Sequence, residues 1–259
     1  MSKEKPLILV TNDDGITAPG IRHLIKVVKD FGEVVVVAPD SPQSGMGHAI
    51  TVSNNLYCDK SSTSDSDILE YSCSGTPVDC VKIATQAVLK RKPDLCVSGI
   101  NHGSNSSINV IYSGTMSAAV EAGTVGIPAV GFSLCDYAMD ADFEPTTRYV
   151  KKVVSYMIEN KLNTGTVLNV NFPKLSADDI KGIKVCRQAK ARWEENYDKR
   201  QNPQGRDYYW LTGEFINEDG GEDTDEWALS QGYVSVVPIQ FDLTAHAQLN
   251  QIKDLNIEH

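Results

Sequence analysis

Short apolar runs alternate with amphipathic stretches along the first two thirds of the chain. The runs LILVTN (7–12) and EVVVVAP (33–39) are typical of buried strands, and apolar residues recur at helical spacing between Pro19 and Gly32. The same alternation predicts strands over 93–99, 128–134 and 166–173 and helices over 77–91, 113–126 and 146–160. Strands and helices that alternate in this way predict an α/β fold, doubly wound around a largely parallel sheet.

Two segments depart from this pattern. Residues 50–74 alternate apolar and polar positions around a polar stretch, which predicts a hairpin off one edge of the sheet. After about residue 187 the alternation stops, and a segment rich in aromatic and charged residues precedes a return strand and a final helix from about Thr244. We therefore expect one α/β domain over 1–259, with a core of about 1–186 and 232–259 and a projecting arm or hairpin of about 187–231.

Composition narrows the possible partners and the compartment. The 259 residues are 41% hydrophobic and 22% charged, as in ordinary globular proteins, and the net charge of −10 disfavours long nucleic acids. The sequence predicts no membrane association, because no apolar stretch approaches bilayer length and the first apolar run is too short for a signal peptide. Six cysteines without a CxxC pair are expected to be core thiols, so the predicted location is cytoplasmic.

Three polar loops follow predicted strands directly. They are TNDDG (11–15), PDSPQSGMGHAIT (39–51) and SGINHGSNSSINVIYSGT (98–115). In open α/β sheets the loops at the carboxyl ends of the strands form the ligand-binding crevice, so we expect these three to meet there.

The adjacent carboxylates of Asp13 and Asp14 suggest a metal site. Asn-Asp-Asp-Gly is also good turn chemistry, and a plain turn is the competing interpretation. Two carboxylates at the end of a buried strand nevertheless repel each other and resist burial, and a hard divalent cation removes both costs. Oxygen ligands such as Ser44 and Asn101 suit Mg²⁺ or Mn²⁺ better than Zn²⁺.

The start of the predicted helix at Ser113, Gly114 and Thr115 has two interpretations. It is an ordinary helix cap, or its free N–H groups and hydroxyls form a seat for phosphate. His48 and His102 lie in the same loops and are either solvated or proton donors. Walker A, GxGxxG, GxSxG and HExxH motifs are absent from the sequence, which disfavours NTPases, dinucleotide enzymes, serine hydrolases and zincins.

Taken together, these loops resemble those of the survival protein E (SurE) family of metal-dependent 5′-nucleotidases. The resemblance covers nearly the whole chain, and it includes matches in the C-terminal half as well as the loops. The motifs are TNDDGITAPGI (11–21), VVAPDSPQSGMGHAIT (36–51), SGTPVDCV (74–81), PDLCVSGINHGSN (93–105), VIYSGTMSAAVEA (110–122), DYYWL (207–211), TDEWALSQGYVSVVPI (224–239) and DLTA (242–245).

The resemblance implies a Rossmann-like core and hydrolysis of nucleoside 5′-monophosphates to nucleoside and phosphate. It implies one divalent cation per subunit, with Asp13 and Asp14 as catalytic residues and metal ligands. It also implies homodimers or homotetramers with exchanged C-terminal arms. The expected metal ligands are Asp13, Asp14, Ser44 and Asn101, and the expected substrate contacts are Asn12, Gly45, Asn105, Ser113, Gly114 and Thr115.

Other functions remain open at this point. A nucleoside hydrolase also carries an aspartate-rich loop after its first strand, although its longer DxDxxxDD spacing is missing here. A phosphatase with an aspartyl-phosphate intermediate would show DxDxT, which is absent as well. A nucleotide-sensing module could use the same metal site without turnover. Within the nucleotidase interpretation, the preferred base and the cleavage of 3′-nucleotides or short polyphosphate stay open.

Overall fold

The computed structural model describes residues 5–61, 68–160, 162 and 165–255. The strands are β1 (Leu7–Thr11), β2 (Glu33–Pro39), β3 (Cys58–Lys60), β4 (Leu69–Cys73), β5 (Leu95–His102), β6 (Ala129–Leu134), β7 (Val167–Phe172), β8 (Ile183–Val185), β9 (Ala191–Gln201), β10 (Asp207–Asn217) and β11 (Val234–Ile239). The α-helices are α1 (Pro19–Val28), α2 (Pro77–Ile83), α3 (Gly114–Thr124), α4 (Thr147–Glu159) and α5 (Asp225–Ser230).

Nine of these strands form one sheet in the order β3-β4-β2-β1-β5-β6-β7-β11-β8. The six strands from β4 to β7 in this order pair in parallel. The strand β3 is antiparallel to β4, and β11 is antiparallel to β7. The predicted α/β class with a doubly wound, largely parallel sheet is confirmed.

Alternate residues of β1 pack on the two faces of the sheet, because successive side chains of a strand point in opposite directions. Ile8 and Val10 belong to a core cluster that contains apolar residues of α1 and α4. Leu7 and Leu9 belong to a second cluster that contains residues of α2 and α3. The continuous apolar run of β1 is therefore buried on both faces, as expected for a parallel strand covered by helices.

The helices follow the predicted positions, with two differences. A capping box formed by Thr76 and Asp79 begins α2, but the α-helix ends at Ile83 and a π-helical turn covers Ala84–Val88. The predicted final helix is a 3₁₀ helix, His246–Leu255, which buries no residue and so has no packed face to favour a regular α-helix. Across the described residues, none of the helices combines the length and apolarity that crossing a bilayer requires.

The segment 50–74 forms a shorter hairpin than predicted. Only β3 and β4 are strands, and they pair at the edge of the main sheet. The backbone N–H of Thr51 donates to the Asp79 carboxylate at 3.1 Å, so this part of the segment is bound to the start of α2 instead of a strand. The middle of the predicted hairpin, 62–67, lies outside the described residues.

A separate two-stranded sheet lies within the predicted arm. Strands β9 and β10 form a long antiparallel hairpin in which Trp193 is opposite Phe215. The short helix α5 and the return strand β11 follow it, and β11 brings the chain back to the main sheet beside β7.

The chain reverses its direction of winding at β1. The sheet grows from β1 through β2 and β4 on one side, and the chain then crosses to β5 on the other side. The carboxyl ends of β1 and β5 are therefore adjacent at a topological switch point, which is where open α/β sheets form their ligand crevices.

Candidate active site

A crevice of about 200 Å³ opens at this switch point. It is lined by residues from the loops after β1, β2 and β5 and from the start of α3. Six residues predicted from the sequence line it: Asp13, Ser44, Gly45, Asn101, Asn105 and Ser113. The other predicted residues, Asn12, Asp14, Gly114 and Thr115, lie beside these and are described below.

Asp13 is buried, with 4% of its surface exposed. One carboxylate oxygen accepts a short hydrogen bond from the Thr115 hydroxyl. Burial, together with the negative charge of Asp14, raises the pKa of Asp13 from 3.8 to about 6, although hydrogen bonds from Thr115 oppose the rise. Ionising Asp13 therefore carries two costs, burial of its charge and repulsion by Asp14, and a bound cation offsets both.

Asp14 points toward the end of β5. Its carboxylate accepts a hydrogen bond from the backbone N–H of His102 at 3.3 Å and lies 3.5 Å from His102 Nδ1. The His102 ring contacts Phe143 edge-on, with 4.9 Å between the ring centroids. The carboxylate of Asp14 is thereby brought to the strand that carries Asn101.

Asn12 shapes the loop that carries the two aspartates. Its side chain is 1% exposed, and its amide nitrogen donates to the backbone oxygen of Gly15 at 2.9 Å. Gly15 adopts a left-handed conformation (φ +99°), which is accessible to glycine at little cost. Asn12 does not line the crevice, so its observed contacts fix the turn that presents Asp13 and Asp14.

Ser44 and Asn101 both line the crevice and have side-chain oxygen atoms. The loop bearing Ser44 is joined to the first loop, since the backbone N–H of Gln43 donates to the Asp13 carbonyl at 2.7 Å. The Asn101 amide nitrogen donates to the carbonyls of His102 and Gly103 at 3.1 and 2.9 Å. With its nitrogen engaged, the side-chain oxygen of Asn101 is the atom available to a cation.

The charge and donor set of the crevice fit a hard divalent cation. Within the described part of the chain, no Lys or Arg side chain forms an ion pair with Asp13 or Asp14, and no group of three His, Cys, Asp or Glu side chains has the arrangement of a metal site. The available ligands are two carboxylates, a hydroxyl and an amide oxygen. Such oxygen ligands suit Mg²⁺ or Mn²⁺, whereas Zn²⁺ sites use Cys and His.

The start of α3 lies directly against Asp13. Ser113 is the N-cap, and its hydroxyl accepts from the backbone N–H of Met116 at 3.0 Å. A Cβ atom on Gly114 would lie 2.7 Å from the Asp13 Cβ, so only glycine permits this approach. Gly114 and Thr115 therefore face the Asp13 carboxylate, and Ser113 is the residue of this group that lines the crevice.

A buried network of polar side chains fixes Asn105, and most of it was not predicted from the sequence. The Asn105 backbone N–H donates to Asn171, and its side-chain amide donates to Ser133, both at 2.8 Å. Asn169 donates to the Asn105 carbonyl at 2.8 Å. The available signal was the pair of asparagines in the otherwise apolar run LNVNF (168–172), which becomes the buried strand β7.

Asp225 is a second residue that sequence reasoning missed. Its side chain is fully buried and accepts hydrogen bonds from the backbone N–H groups of Ser107 at 2.8 Å and Ala189 at 2.9 Å. It therefore joins the loop after β5 to the base of the β9–β10 hairpin. The acidic start of α5 in the motif TDEW (224–227) carried the signal, but only the fold shows which segments it connects.

The two loop histidines occupy different environments. His102 lines the crevice, whereas His48 is bonded through Nε2 to the Glu121 carboxylate at 2.9 Å. Glu121 is a buried residue of α3 and also accepts from Lys82 at 2.6 Å. The contacts of His48 therefore attach the Ser44 loop to α3 and do not bring its ring into the crevice.

The chain is similar over nearly its whole length to proteins of one family. Residues 8–195 match the model of the family described as survival protein SurE. A protein named 5′-nucleotidase SurE from Christiangramia forsetii is 70% identical over 257 residues, which cover 99% of this chain and 98% of the relative. Another of that name from Phocaeicola vulgatus is 45% identical over 259 residues. The crystal structure of the SurE protein from Aquifex aeolicus is similar with a TM-score of 0.83 at 40% identity, covering 96% of this chain and 99% of that one.

Proposed function

The chain belongs to the survival protein SurE family, and on that premise we propose that it is a divalent-metal-dependent 5′-nucleotidase that hydrolyses nucleoside 5′-monophosphates to nucleoside and phosphate. The observation that carries the proposal is the shared crevice at the switch point. Asp13, Ser44 and Asn101 line it together with Asn105 and Ser113. A crevice that combines ligands for a hard cation with hydrogen-bond donors is suited to a phosphate group.

The metal is proposed to be one Mg²⁺ or Mn²⁺ per subunit, held by Asp13, Asp14, Ser44 and Asn101. The burial of Asp13 and its repulsion by Asp14 support this assignment, because both costs fall when a cation is bound. The chemistry that such a cation supplies is neutralisation of charge on the phosphoryl group and activation of water.

The chain's own groups orient the reactants. The Thr115 hydroxyl holds the Asp13 carboxylate, and the Gly114 backbone allows the positive end of the α3 dipole to approach it. Asn105 is held by its buried amide and hydroxyl partners, and Ser113 lines the same crevice at the start of α3. We assign the phosphate seat to Asn105, Ser113, Gly114 and Thr115, with Asn12 and Gly45 shaping the loops around it.

The proposed assembly is a homodimer or homotetramer with exchanged C-terminal arms. The β9–β10 hairpin supports this proposal, since its aromatic side chains are exposed; these are Tyr197, Tyr208, Tyr209 and Trp210. The proposed location is the cytoplasm, because the six cysteines are free thiols and a reducing compartment suits them.

The test is release of phosphate from AMP by the purified protein with Mn²⁺, with and without a chelator. We expect phosphate and adenosine as products, and loss of turnover with the chelator. Release of free adenine would instead identify a nucleoside hydrolase, and binding of AMP without turnover would identify a sensing module. Retention of full activity after exhaustive chelation would contradict the metal site.

A further inference from the structure

A second cavity adjoins the crevice and has no role in the chemistry described above. Its volume is about 740 Å³, which is within the range of small-molecule sites. One wall comes from the β9–β10 hairpin through Trp193, Glu195 and Leu211, and the other comes from Tyr112 and Asn109. Gly45 of the Ser44 loop completes it.

The cavity and the crevice share part of their walls. Gly45, Asn109 and Tyr112 line both spaces. Tyr112 directly precedes Ser113, the N-cap of α3 that faces the crevice. A molecule whose phosphate lies beside Ser113 is therefore next to the wall that the two spaces share.

The Trp193 indole is held in a defined orientation. Its Nε1 donates to the Asn109 side-chain oxygen at 2.8 Å. The ring also meets Phe215 edge-on, with 5.5 Å between the ring centroids. A fixed aromatic ring in a cavity wall is a surface on which a flat ring can stack with little loss of side-chain entropy.

The charge of the lining determines which part of a ligand fits. Of the described residues that line the cavity, none is Lys or Arg, and Glu195 carries a negative charge. A second phosphate would meet no cation there and would be repelled. An uncharged aromatic ring meets no such repulsion and gains contact with Trp193, Tyr112 and Leu211.

We propose that this cavity binds the nucleobase of the substrate and that Trp193 and Tyr112 are its stacking surfaces. The inference rests on the proposed nucleotidase function and extends it from the phosphate to the base. It makes the base of the β9–β10 hairpin a determinant of substrate specificity.

The kinetic test compares AMP with ribose 5-phosphate, which carries the same phosphate without a base. For Trp193→Leu we expect the KM for AMP to rise roughly tenfold, while kcat and the KM for ribose 5-phosphate change less than about twofold. Trp193→Phe keeps an aromatic ring and should restore most of the affinity. Trp210→Leu is the matched control, since Trp210 lies on the neighbouring strand β10 and does not line the cavity. Light scattering should show the same oligomeric mass for all variants that are compared.

A binding measurement tests the same inference without turnover. Adenosine should quench the tryptophan fluorescence of the wild type and of Trp210→Phe, and this quenching should disappear in Trp193→Phe. Equal rises in KM for AMP and ribose 5-phosphate, or quenching that persists in Trp193→Phe, would overturn the inference while leaving the nucleotidase intact. Failure of the wild type to release phosphate from either compound would instead overturn the proposed function.

Discussion

Two buried carboxylates, one on helix α3 and one against its start, have different surroundings. Glu121, on the helix itself, is 6% exposed and accepts hydrogen bonds from Lys82 and His48 at 2.6 and 2.9 Å. Asp13, at the start of the helix, is 4% exposed, and within the described part of the chain the Thr115 hydroxyl is the only side-chain group that donates a hydrogen bond to it. Glu121 is thus paired with the Lys82 cation, whereas Asp13 has the carboxylate of Asp14 as its neighbour.

The difference supports the proposal that an external cation binds beside Asp13 and Asp14. Burial and Asp14 raise the pKa of Asp13 to about 6, whereas the Lys82 and His48 contacts outweigh burial and hold the pKa of Glu121 below its usual value. Glu70 also has a cationic partner, since Arg22 binds both of its carboxylate oxygens at 2.7 Å. Glu121 and Glu70 are thus paired with cations of the chain, and the buried Asp79 and Asp225 accept hydrogen bonds from backbone N–H groups, whereas Asp13 has a second carboxylate beside it.

The largest expected effect is on activity. Asp13→Asn and Asp14→Asn each remove a charge from the proposed cation site without changing the shape of the side chain. We expect kcat/KM for AMP to fall by at least about a hundredfold, since a catalytic cation contributes several kcal/mol to transition-state stabilisation. The measurement is phosphate release at saturating Mn²⁺.

A second pair of adjacent aspartates provides the control. Asp178 and Asp179 are both exposed, so their mutual repulsion is screened by water. Asp178→Asn should leave kcat/KM unchanged within about twofold, as expected for an exposed surface substitution away from the crevice. If Asp13→Asn behaves like Asp178→Asn, the crevice does not hold a catalytic cation.

The next effect is on stability in the absence of metal. A carboxylate whose pKa is raised by folding binds its proton more tightly in the folded state, so its ionised form destabilises the fold above that pKa. The rise from 3.8 to about 6 predicts that Asp13→Asn increases the free energy of unfolding at pH 8 by about 2 to 3 kcal/mol. The gain should shrink below pH 6 and disappear near pH 4.

Urea denaturation of the chelated protein at pH 8, 6 and 4 measures this gain. Added Mn²⁺ should reverse the order, because the wild type then gains stability from the bound cation and the variant does not. A variant that is less stable than the chelated wild type at pH 8 would show that Asp13 is already compensated within the chain.

Glu121 should respond in the opposite direction. Its pKa is lowered by folding, so its contribution to stability is present above the ordinary value of 4.5 and is lost as the pH falls through the lower folded value. Glu121→Gln should therefore reduce the free energy of unfolding at pH 7 by about 1.5 kcal/mol, and the loss should shrink below pH 4.5. The same urea series measures it, and a stabilising substitution would contradict the comparison.

The positions of the crevice loops could be predicted from the sequence, because each loop follows a recognisable strand. Asp13, Ser44 and Asn101 were placed at the ends of apolar runs, and the rule that carboxyl ends of parallel strands share an edge brought them together. The doubly wound sheet followed from the same alternation of strands and helices. These inferences needed only local patterns and a general rule of topology.

Contacts between residues that are distant along the chain could not be predicted from the sequence. Asn169 supports Asn105 from a strand 64 residues away, and Asp225 binds Ser107 across 118 residues. A local pattern shows that such residues are polar in an apolar setting, but not which groups they meet. The early end of α2 at Ile83 and the bond from Thr51 to Asp79 were missed for the same reason, because tertiary contacts override local preference.

The smallest expected effect concerns His48, which joins the two regions of this comparison. Its ring is 42% exposed and its bond to Glu121 fastens the Ser44 loop to α3, while Lys82 still neutralises Glu121 without it. His48→Ala should therefore change the free energy of unfolding by less than about 1 kcal/mol and raise the Mn²⁺ concentration needed for half-maximal activity about twofold, because Ser44 is held less firmly. A Mn²⁺ titration of phosphate release measures this. A hundredfold loss of kcat at an unchanged Mn²⁺ requirement would instead assign His48 to proton transfer and would mean that its bond to Glu121 opens during turnover.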